Sequence, residues 1–547
     1  MKKIGYSQFL IGSIRVPVDA AEDDIVKAAK EKMKREGIAT SPLHFRLFKK
    51  SVDARRRENI CFECTVLVEC VGGELRLSDG QIKRLGIRAF EKEEVVPLIG
   101  QGAISAPPLV VGMGPAGLLA ALLLAQNGYA PILIDRGGSV EERAQAVAEF
   151  RAFGHLNCEN NIQFGAGGAG TFSDGKLITR IHDPKCAFVL NTLADFGAPR
   201  DILVQAKPHV GTDLLRIVVS NLLCEIERLG GKLIYHCRME DFSRLPDGTL
   251  RVRTNQGELS CGAMILAPGH SSRDTYEMLI QKGFAMEQKP ISVGVRAEHL
   301  QSAIDDALYG RFAGHPNLGH AEYSLSDTRE GRGVYTFCMC PGGEVVAAAS
   351  EEGGLVVNGM SYHARNNPNA NAAVAVSVYP SDILPVDGNP LLGSIAFQRS
   401  IERAAYRAGG GDYYAPIMTM GDFLSGKRGT EPSLISPSYR DGKVCVAEFD
   451  TIFPPFVLDG LRRGFVSFGK KIKGYDAPEA VLTAAETRTS APLRILRDPV
   501  TLQAVSESLV YPCGEGAGYA GGITSAGVDG VRCALALMER FAPSART

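Results

Sequence analysis

Neither sign of charge is in excess. Sixty Lys and Arg stand against sixty-one Asp and Glu, a formal charge of −1, so no bulk field draws the chain toward nucleic acid or anionic lipid. The short basic run "RLFKKSVDARRR" then reads as a solvated face, and no nucleic-acid partner is expected. Long apolar runs are also missing. The most apolar stretch, "AGLLAALLLAQNG", is far shorter than the roughly 20 residues needed to cross a bilayer, so no membrane span is expected. The start "MKKIGYSQFLIGSIRVP" has a basic pair, but Arg15 breaks its apolar run and no small-residue cleavage site follows; no export signal is expected. A disulfide framework is lacking too: thirteen cysteines, an odd number, are scattered through 547 residues, as in a reducing, cytoplasmic compartment. Cys61-x-x-Cys64 sits in the β-like run "NICFECTVLVEC" with no second CxxC or His pair nearby, which favours strand packing over a metal or redox role. No metal site is expected.

What is present is enough apolar sequence, 45% of the chain, to give several domains a core. Residues 1–104 read as a small α+β domain of ferredoxin-like arrangement. In it Asp19 and Glu22 resemble a capping box, Ile25, Ala29 and Met33 mark one helical face, and Gly37 ends the helix. "GQGAISAPP" has linker composition. From Leu109 the pattern becomes strand, tight turn, helix, strand, which predicts an α/β domain with its first part at 105–282. The β-rich texture of 283–429 predicts an inserted, substrate-facing domain, and 430–547 returns to strand, Gly-rich turn and helix as the C-terminal part of the α/β domain.

In "PLVVGMGPAGLLAALLLAQNGYAPILID", Gly112, Gly114 and Gly117 occupy GxGxxG places directly after an apolar strand and at the opening of a helix. The first glycine permits the tight turn, the second lets backbone approach a pyrophosphate, and the third allows close helix–strand packing. The helix N-terminus presents free N–H groups and its positive dipole end to phosphate. Asp135 closes the next strand, where an acid can accept hydrogen bonds from an adenosine ribose and repels a 2′-phosphate, leaving NAD or FAD.

Other glycine clusters separate these two. "ENNIQFGAGGAGTFSDGKL", "KPHVGTD", "ISVGVRAEH", "CMCPGGEVVAA" and "YPCGEGAGYAGGITSAGVDG" resemble the bacterial FAD-dependent dehydrogenase group that carries an extra N-terminal domain. That group lies within the glutathione-reductase-type flavoprotein superfamily, alongside geranylgeranyl reductases and electron-transfer-flavoprotein dehydrogenases. The resemblance implies a Rossmann-like FAD-binding domain and an FAD-dependent oxidoreductase. It implies that Gly112, Gly114, Pro115, Ala116 and Gly117 hold the pyrophosphate and that Asp135 with Arg136 meets the adenosine end. Gly170, Thr171, Ser173, Asp174 and Lys176 would lie along the same flavin, so "GAGGAG" is a second wrap around one cofactor; no strand–helix–strand unit frames it as a second Rossmann site. Ala267, Pro268 and Gly269 would pass near the cofactor. Gly514 and Glu515 would contact the ribityl chain, with Glu515 where the broad family often has Asp, and Gly521, Gly522 and Ile523 would open a final helix whose dipole favours reduced flavin. "GDFLSGKR" imitates a phosphate-binding loop, but Arg428 stands where a Ser or Thr must bind magnesium.

FAD supplies the hydride chemistry and the protein must orient a small-molecule substrate over it. Cys338 and Cys340 fall on one face of an extended strand with Cα atoms about 7 Å apart, too far for an easy disulfide, which disfavours a thioredoxin-reductase-like dithiol; they read as packing thiols, or as a flavin-facing wall or reactive thiol. Arg296 could pair with a carboxylate-bearing substrate or serve in a structural salt bridge. His209, His270 and His363 could each act as acid or base, but no second member of a catalytic arrangement can be placed beside any of them. NADH or NADPH as a transient electron donor and a protein electron carrier remain open, as do a reductase of an apolar, isoprenoid-like substrate and a flavin-holding redox-sensing protein.

Overall fold

The computed structural model describes residues 3–91 and 94–543. It divides into two compact units. The first is built from residues up to 95 together with Pro199–His209 and Ser302–Ala321, and the second from the remainder.

In the first unit an antiparallel sheet runs in the order Leu43–Asp53, Cys61–Cys70, Gln8–Pro17, Ile87–Ala89. The helix Glu22–Arg35 follows Gln8–Pro17 and buries Ile25, Ala29 and Met33. Its start differs from the expected Asp19 cap. The Ala21 N–H instead donates to Asp24 Oδ2 at 3.0 Å, and Glu22, Asp23 and Asp24 complement the dipole of the first turn. Cys61 and Cys64 lie within the central strand, paired with Pro17 and Ile14. The later segment Pro199–His209 joins the edge: Lys50 N–H donates to the Val204 carbonyl at 2.7 Å, and Ala206 N–H to the Lys50 carbonyl at 2.8 Å.

The second unit contains a five-stranded parallel sheet in the order Lys232–Ile234, Ile132–Ile134, Leu109–Val111, Met264–Leu266, Val510–Pro512. Numbered along the chain this is 3-2-1-4-5, the Rossmann order, and its topological switch falls between Leu109–Val111 and Met264–Leu266. Such sheets are covered on both faces, and the helix Pro115–Gln126 is accordingly buried from Ala116 to Ala125. The final helix, Ile523–Arg540, packs on it so closely that a Cβ at Gly530 would fall 2.1 Å from the Ala116 carbonyl oxygen.

A seven-stranded sheet follows the order Ser326–Asp327, Val334–Cys340, Asn369–Val378, Ile291–Leu300, Val481–Glu486, Ala415–Thr419, Val444–Val446. It takes strands from both sides of residue 429, since Val481–Glu486 pairs between Ile291–Leu300 and Ala415–Thr419. The helix Pro455–Gly469 lies against it at its glycines: a Cβ at Gly460 or Gly464 would fall 2.7 Å or 2.6 Å from methyls of Val376 and Val334. The phosphate-loop look-alike is a short helix, Met420–Ser425, capped by Thr419 and closed by left-handed Gly426, so its glycine ends a helix rather than opening one. Among the described residues no helix is long and apolar enough to cross a membrane.

Candidate flavin site

The switch point opens into a cavity of about 300 Å³ in the second unit. Three glycine-bearing segments meet there: the 112–116 turn, the 168–170 loop and the 521–522 helix start. The 112–117 turn admits no side chain at its ends. Gly112 has φ +102°, and a Cβ on it would sit 2.2 Å from the Ala267 carbonyl oxygen; one on Gly117 would sit 1.9 Å from the Gly112 carbonyl oxygen. Gly117 is therefore a packing residue beneath the turn and does not line the cavity, whereas Gly112, Gly114, Pro115 and Ala116 do.

The second loop is stitched to the first. Gly167 N–H donates to the Met113 carbonyl at 2.8 Å, and a Cβ on Gly168 would fall 2.7 Å from Gly114 Cα. Arg143 is wholly buried and holds this loop from behind, donating to the carbonyls of Asn161, Ile162 and Ala166 at 2.7–2.8 Å. No sequence signal singled out Arg143, because its partners are backbone carbonyls brought near by folding alone.

Asp135 joins both loops. Its Oδ2 accepts from Met113 N–H at 2.8 Å, and its Oδ1 accepts from Gly137 and Gly165 N–H, each at 2.9 Å. A carboxylate offers about four lone-pair directions, so with three taken one remains for a hydroxyl in the cavity that Asp135 lines. Arg136 also lines the cavity, lying 4.4 Å over the Phe164 ring and bridging to Asp274 at 2.7 Å.

The remaining expected residues divide. Gly170, Ser173, Lys176, Ala267, Pro268, Gly269, Glu515, Gly521, Gly522 and Ile523 line the cavity. Thr171, Asp174 and Gly514 do not. The Thr171 carbonyl accepts from the Thr212 hydroxyl at 2.6 Å, and Gly514 N–H donates to Asp529 Oδ2 at 2.7 Å. Asp174 is fully buried between Lys176 (2.7 Å) and Arg365 (2.6 Å). Burial disfavours its charge, but the two cations more than offset that and hold its carboxyl well below the usual range. Lys176 is likewise opposed by burial yet kept above its ordinary pKa by Asp174 and Glu322, so it brings a firm positive charge to the wall.

Two acids near the cavity behave differently. Burial pushes Glu515 up to about 7 against the pull of Lys289, and it pushes Glu486 up to about 7 against the pull of Arg296. His270 lines the cavity and is pulled down to about 4 by burial, with Arg488 and Arg273 adding to the shift, so its imidazole is neutral near pH 7. Behind it Glu402 pairs with Arg273 at 2.7 Å and Arg488 at 2.9 Å. His363 is not a lining residue; its Nδ1 lies 3.0 Å from the Val210 carbonyl oxygen. Arg296 is fully buried and also absent from the lining, with Nε 3.4 Å from Glu486 Oε2.

The extended-strand geometry expected at Cys338 and Cys340 does not hold. Phe337 faces Ala373 and Cys340 faces Asn371, so three steps on one strand match two on its partner, and Cys338 has φ +44°. This is a β-bulge, which re-aims side chains. Cys338 lines the cavity and Cys340 is buried behind it. Lining residues that sequence reasoning missed include Arg488, Thr489 and Asn358, all delivered by the seven-stranded sheet and its neighbours. Cys513, Asp529 and Cys533 gather their ligand atoms within 4.8 Å of one another, but Arg497 supplies the cation there, reaching Asp529 at 2.6 Å and Cys533 Sγ at 3.4 Å.

The donor set fits FAD: two helix starts, a turn closed to side chains at both ends, a carboxylate with one acceptor direction left and a fixed ammonium converge on one cavity. Comparison with known families agrees. Residues 290–489 match the family described as "FAD-dependent protein, C-terminal domain-like", and residues 10–69 match a domain of unknown function, DUF8436. Solved structures with similarity include CtdE in complex with FAD (9% identity, 79% of this chain and 83% of that one, TM-score 0.31) and FqzB (12%, 81% and 77%, TM-score 0.33). The halogenase PltM is also similar (12%, 55% of each chain, TM-score 0.29). An uncharacterized protein of Clostridium beijerinckii is 46% identical over 498 residues, which is 90% of this chain and 92% of that one. The chain therefore belongs to the same family as the Clostridium beijerinckii protein, and with its FAD-dependent C-terminal region it is an FAD-dependent flavoprotein.

Proposed function

We propose that the protein is an oxidoreductase that passes hydride or electrons through bound FAD to or from a small-molecule substrate. The observation that carries this reading is the convergence of the 112–116 turn, the 168–170 loop and the 521–522 helix start on one cavity at the sheet's switch point. FAD, when bound, supplies two-electron chemistry; the protein supplies position and charge. In this reading the 112–116 backbone and the helix Pro115–Gln126 meet the pyrophosphate. Asp135 receives a ribose hydroxyl on its remaining lone pair, and Arg136 flanks the adenosine end. Glu515 and the start of Ile523–Arg540 face the ribityl and ring side, where Lys176 favours negative charge. Glu515, poised near neutrality, is suited to hold or release a proton there.

Among the described residues of 283–429, Phe337, Cys338 and Asn358 line the cavity, a short stretch of wall that does not favour the isoprenoid-like substrate. With the separate Lys3–Tyr6/Leu75–Ser78 strand pair set aside, the four-stranded sheet and two helices of the N-terminal unit follow a β-α-β-β-α-β succession, which supports a ferredoxin-like module whose proposed role is to dock a protein electron carrier. The test is an anaerobic titration of purified, flavin-loaded protein with NADH and NADPH, watching oxidised-flavin absorption. Bleaching by either establishes a nicotinamide-driven flavoenzyme. A yellow protein that neither reduces leaves its own substrate or a carrier as the donor, and a protein that neither retains nor rebinds FAD overturns the reading.

A further inference from the structure

The bulge at Cys338 brings together groups that a regular strand would keep apart. The Cys340 Sγ lies 3.3 Å from the Cys338 carbonyl oxygen, and the two thiols interact electrostatically. Arg296, buried on Ile291–Leu300, one strand beyond the neighbouring Asn369–Val378, donates through Nη2 to that same carbonyl at 2.8 Å. Its Nε and Nη1 make no hydrogen bond, although both are buried. A buried guanidinium with two unmet donors is costly unless negative charge develops beside it. Glu486, with Oε2 3.4 Å from Nε, is the first group that can supply it, and at the cavity the Cys338 sulfur is another.

We propose that Cys338 and Cys340 form a redox-active dithiol in the wall of the flavin cavity, with Cys338 the reacting sulfur and Cys340 the buried partner that closes the disulfide. In the oxidising direction both S–H bonds break and one S–S bond forms. Two protons leave to solvent, and two electrons pass to an acceptor of the flavin or small-disulfide class. The reverse direction consumes the same two electrons and two protons. The proposal rests on the flavin reading only for its acceptor inside the cell; the thiol chemistry itself belongs to the chain.

Electrostatics favour this division of labour. The neighbouring Cys340 thiol pulls the Cys338 thiol down despite burial, with Arg296 and Lys176 adding to the effect, while Cys340 is pushed up. Asp174, Glu486 and Glu515 oppose the thiolate from their own elements, and the two cations with the Cys340 thiol prevail over them. Residues two apart close a small ring on oxidation. Such a ring departs from relaxed disulfide geometry, which makes the bond readily reducible and the pair reversible.

The test equilibrates full-length protein across ratios of reduced to oxidised dithiothreitol, quenches with iodoacetamide and maps each thiol by peptide mass spectrometry. Positions 338 and 340 are expected to lose alkylation together, at the same ratio, within one peptide two hydrogens lighter. Independent alkylation of the two at every ratio overturns the proposal. In Cys340→Ala, the pH at which Cys338 becomes reactive should rise, with alkylation slowed about tenfold near neutrality; an unchanged profile also overturns it. Flavin absorption on the same samples reports folding, and dithionite titration should consume two more electrons per flavin in wild type than in C338S/C340S. Equal consumption by flavin-loaded wild type and double variant sinks the dithiol while leaving the flavin reading intact. Loss of flavin binding in wild type with paired oxidation preserved does the reverse.

Discussion

Two walls of one cavity are built on opposite terms. The wall formed by the parallel sheet is built around backbone and glycine at its turns, and the carboxylate that ties those turns together, Asp135, is almost saturated by three N–H donors. Behind the wall formed by the antiparallel sheet lie buried side chains whose needs are unmet. Arg296 Nε and Nη1, Glu486 Oε2 and both Asn371 amide atoms make no hydrogen bond, and Arg296 and Glu486 meet only as an ion pair at 3.4 Å. Satisfied polar groups make a rigid, preformed cradle. Unmet buried polar groups mark a place where charge or protons change during work. The first wall is suited to hold a cofactor and the second to act beside it.

The contrast can be broken at its strongest point first. Gly112→Val forces a branched side chain onto φ +102° and against the Ala267 carbonyl, at a cost of at least about 3 kcal/mol. The expected outcome is protein that fails to retain flavin, read from the 450-nm-region absorption co-eluting on gel filtration (about 450 nm being the oxidised-flavin band). A variant that keeps its flavin would show that the turn is not a tight cradle. Asp135→Asn replaces an acceptor of three N–H bonds by a group that is half donor. It should lower stability by about 2 kcal/mol and weaken flavin affinity more than tenfold by fluorescence titration.

The antiparallel wall makes a pH prediction. Glu486 is raised from 4.5 to about 7 in the folded state, so folded protein binds its proton more tightly than unfolded protein does. Stability from this group is therefore fully present below about pH 4.5 and is lost as pH rises to about 7, a fall on the order of 3 kcal/mol. Thermal unfolding should show wild type losing stability between about pH 5 and about pH 8, with Glu486→Gln flattening much of that slope. Parallel curves for the two proteins would remove Glu486 from the argument. The smallest effect belongs to the decoy loop: Lys427→Ala should leave stability within about 0.5 kcal/mol and flavin content unchanged.

Much of the parallel wall was legible from local pattern, because a strand, a glycine turn and a helix dictate one another within some thirty residues. Gly112, Gly114 and Asp135 sit where that logic places them. The second glycine loop was legible as cofactor wrapping only through family resemblance, since Gly167 meets Met113 by tertiary contact. Asp174 and Thr171, neighbours in sequence to lining residues, turned inward instead. In a loop without regular period, adjacent side chains have no fixed alternation. His363, and Arg296 as a substrate-facing cation, were drawn from residue type alone, and neither lines the cavity.

The sequence by itself determined a dinucleotide-binding turn, its place and the absence of a membrane-length apolar run, because each is written in short-range spacing and composition; the choice of FAD came through family resemblance. Tertiary structure alone decided the rest. A strand at 481–486 completes a sheet begun at 291, and segments at 199–209 and 302–321 join the N-terminal unit. The bulge that sets Cys338 against Cys340 exists only because one strand carries an extra residue relative to its partner. Register is a property of two strands at once, and neither strand's sequence states it alone.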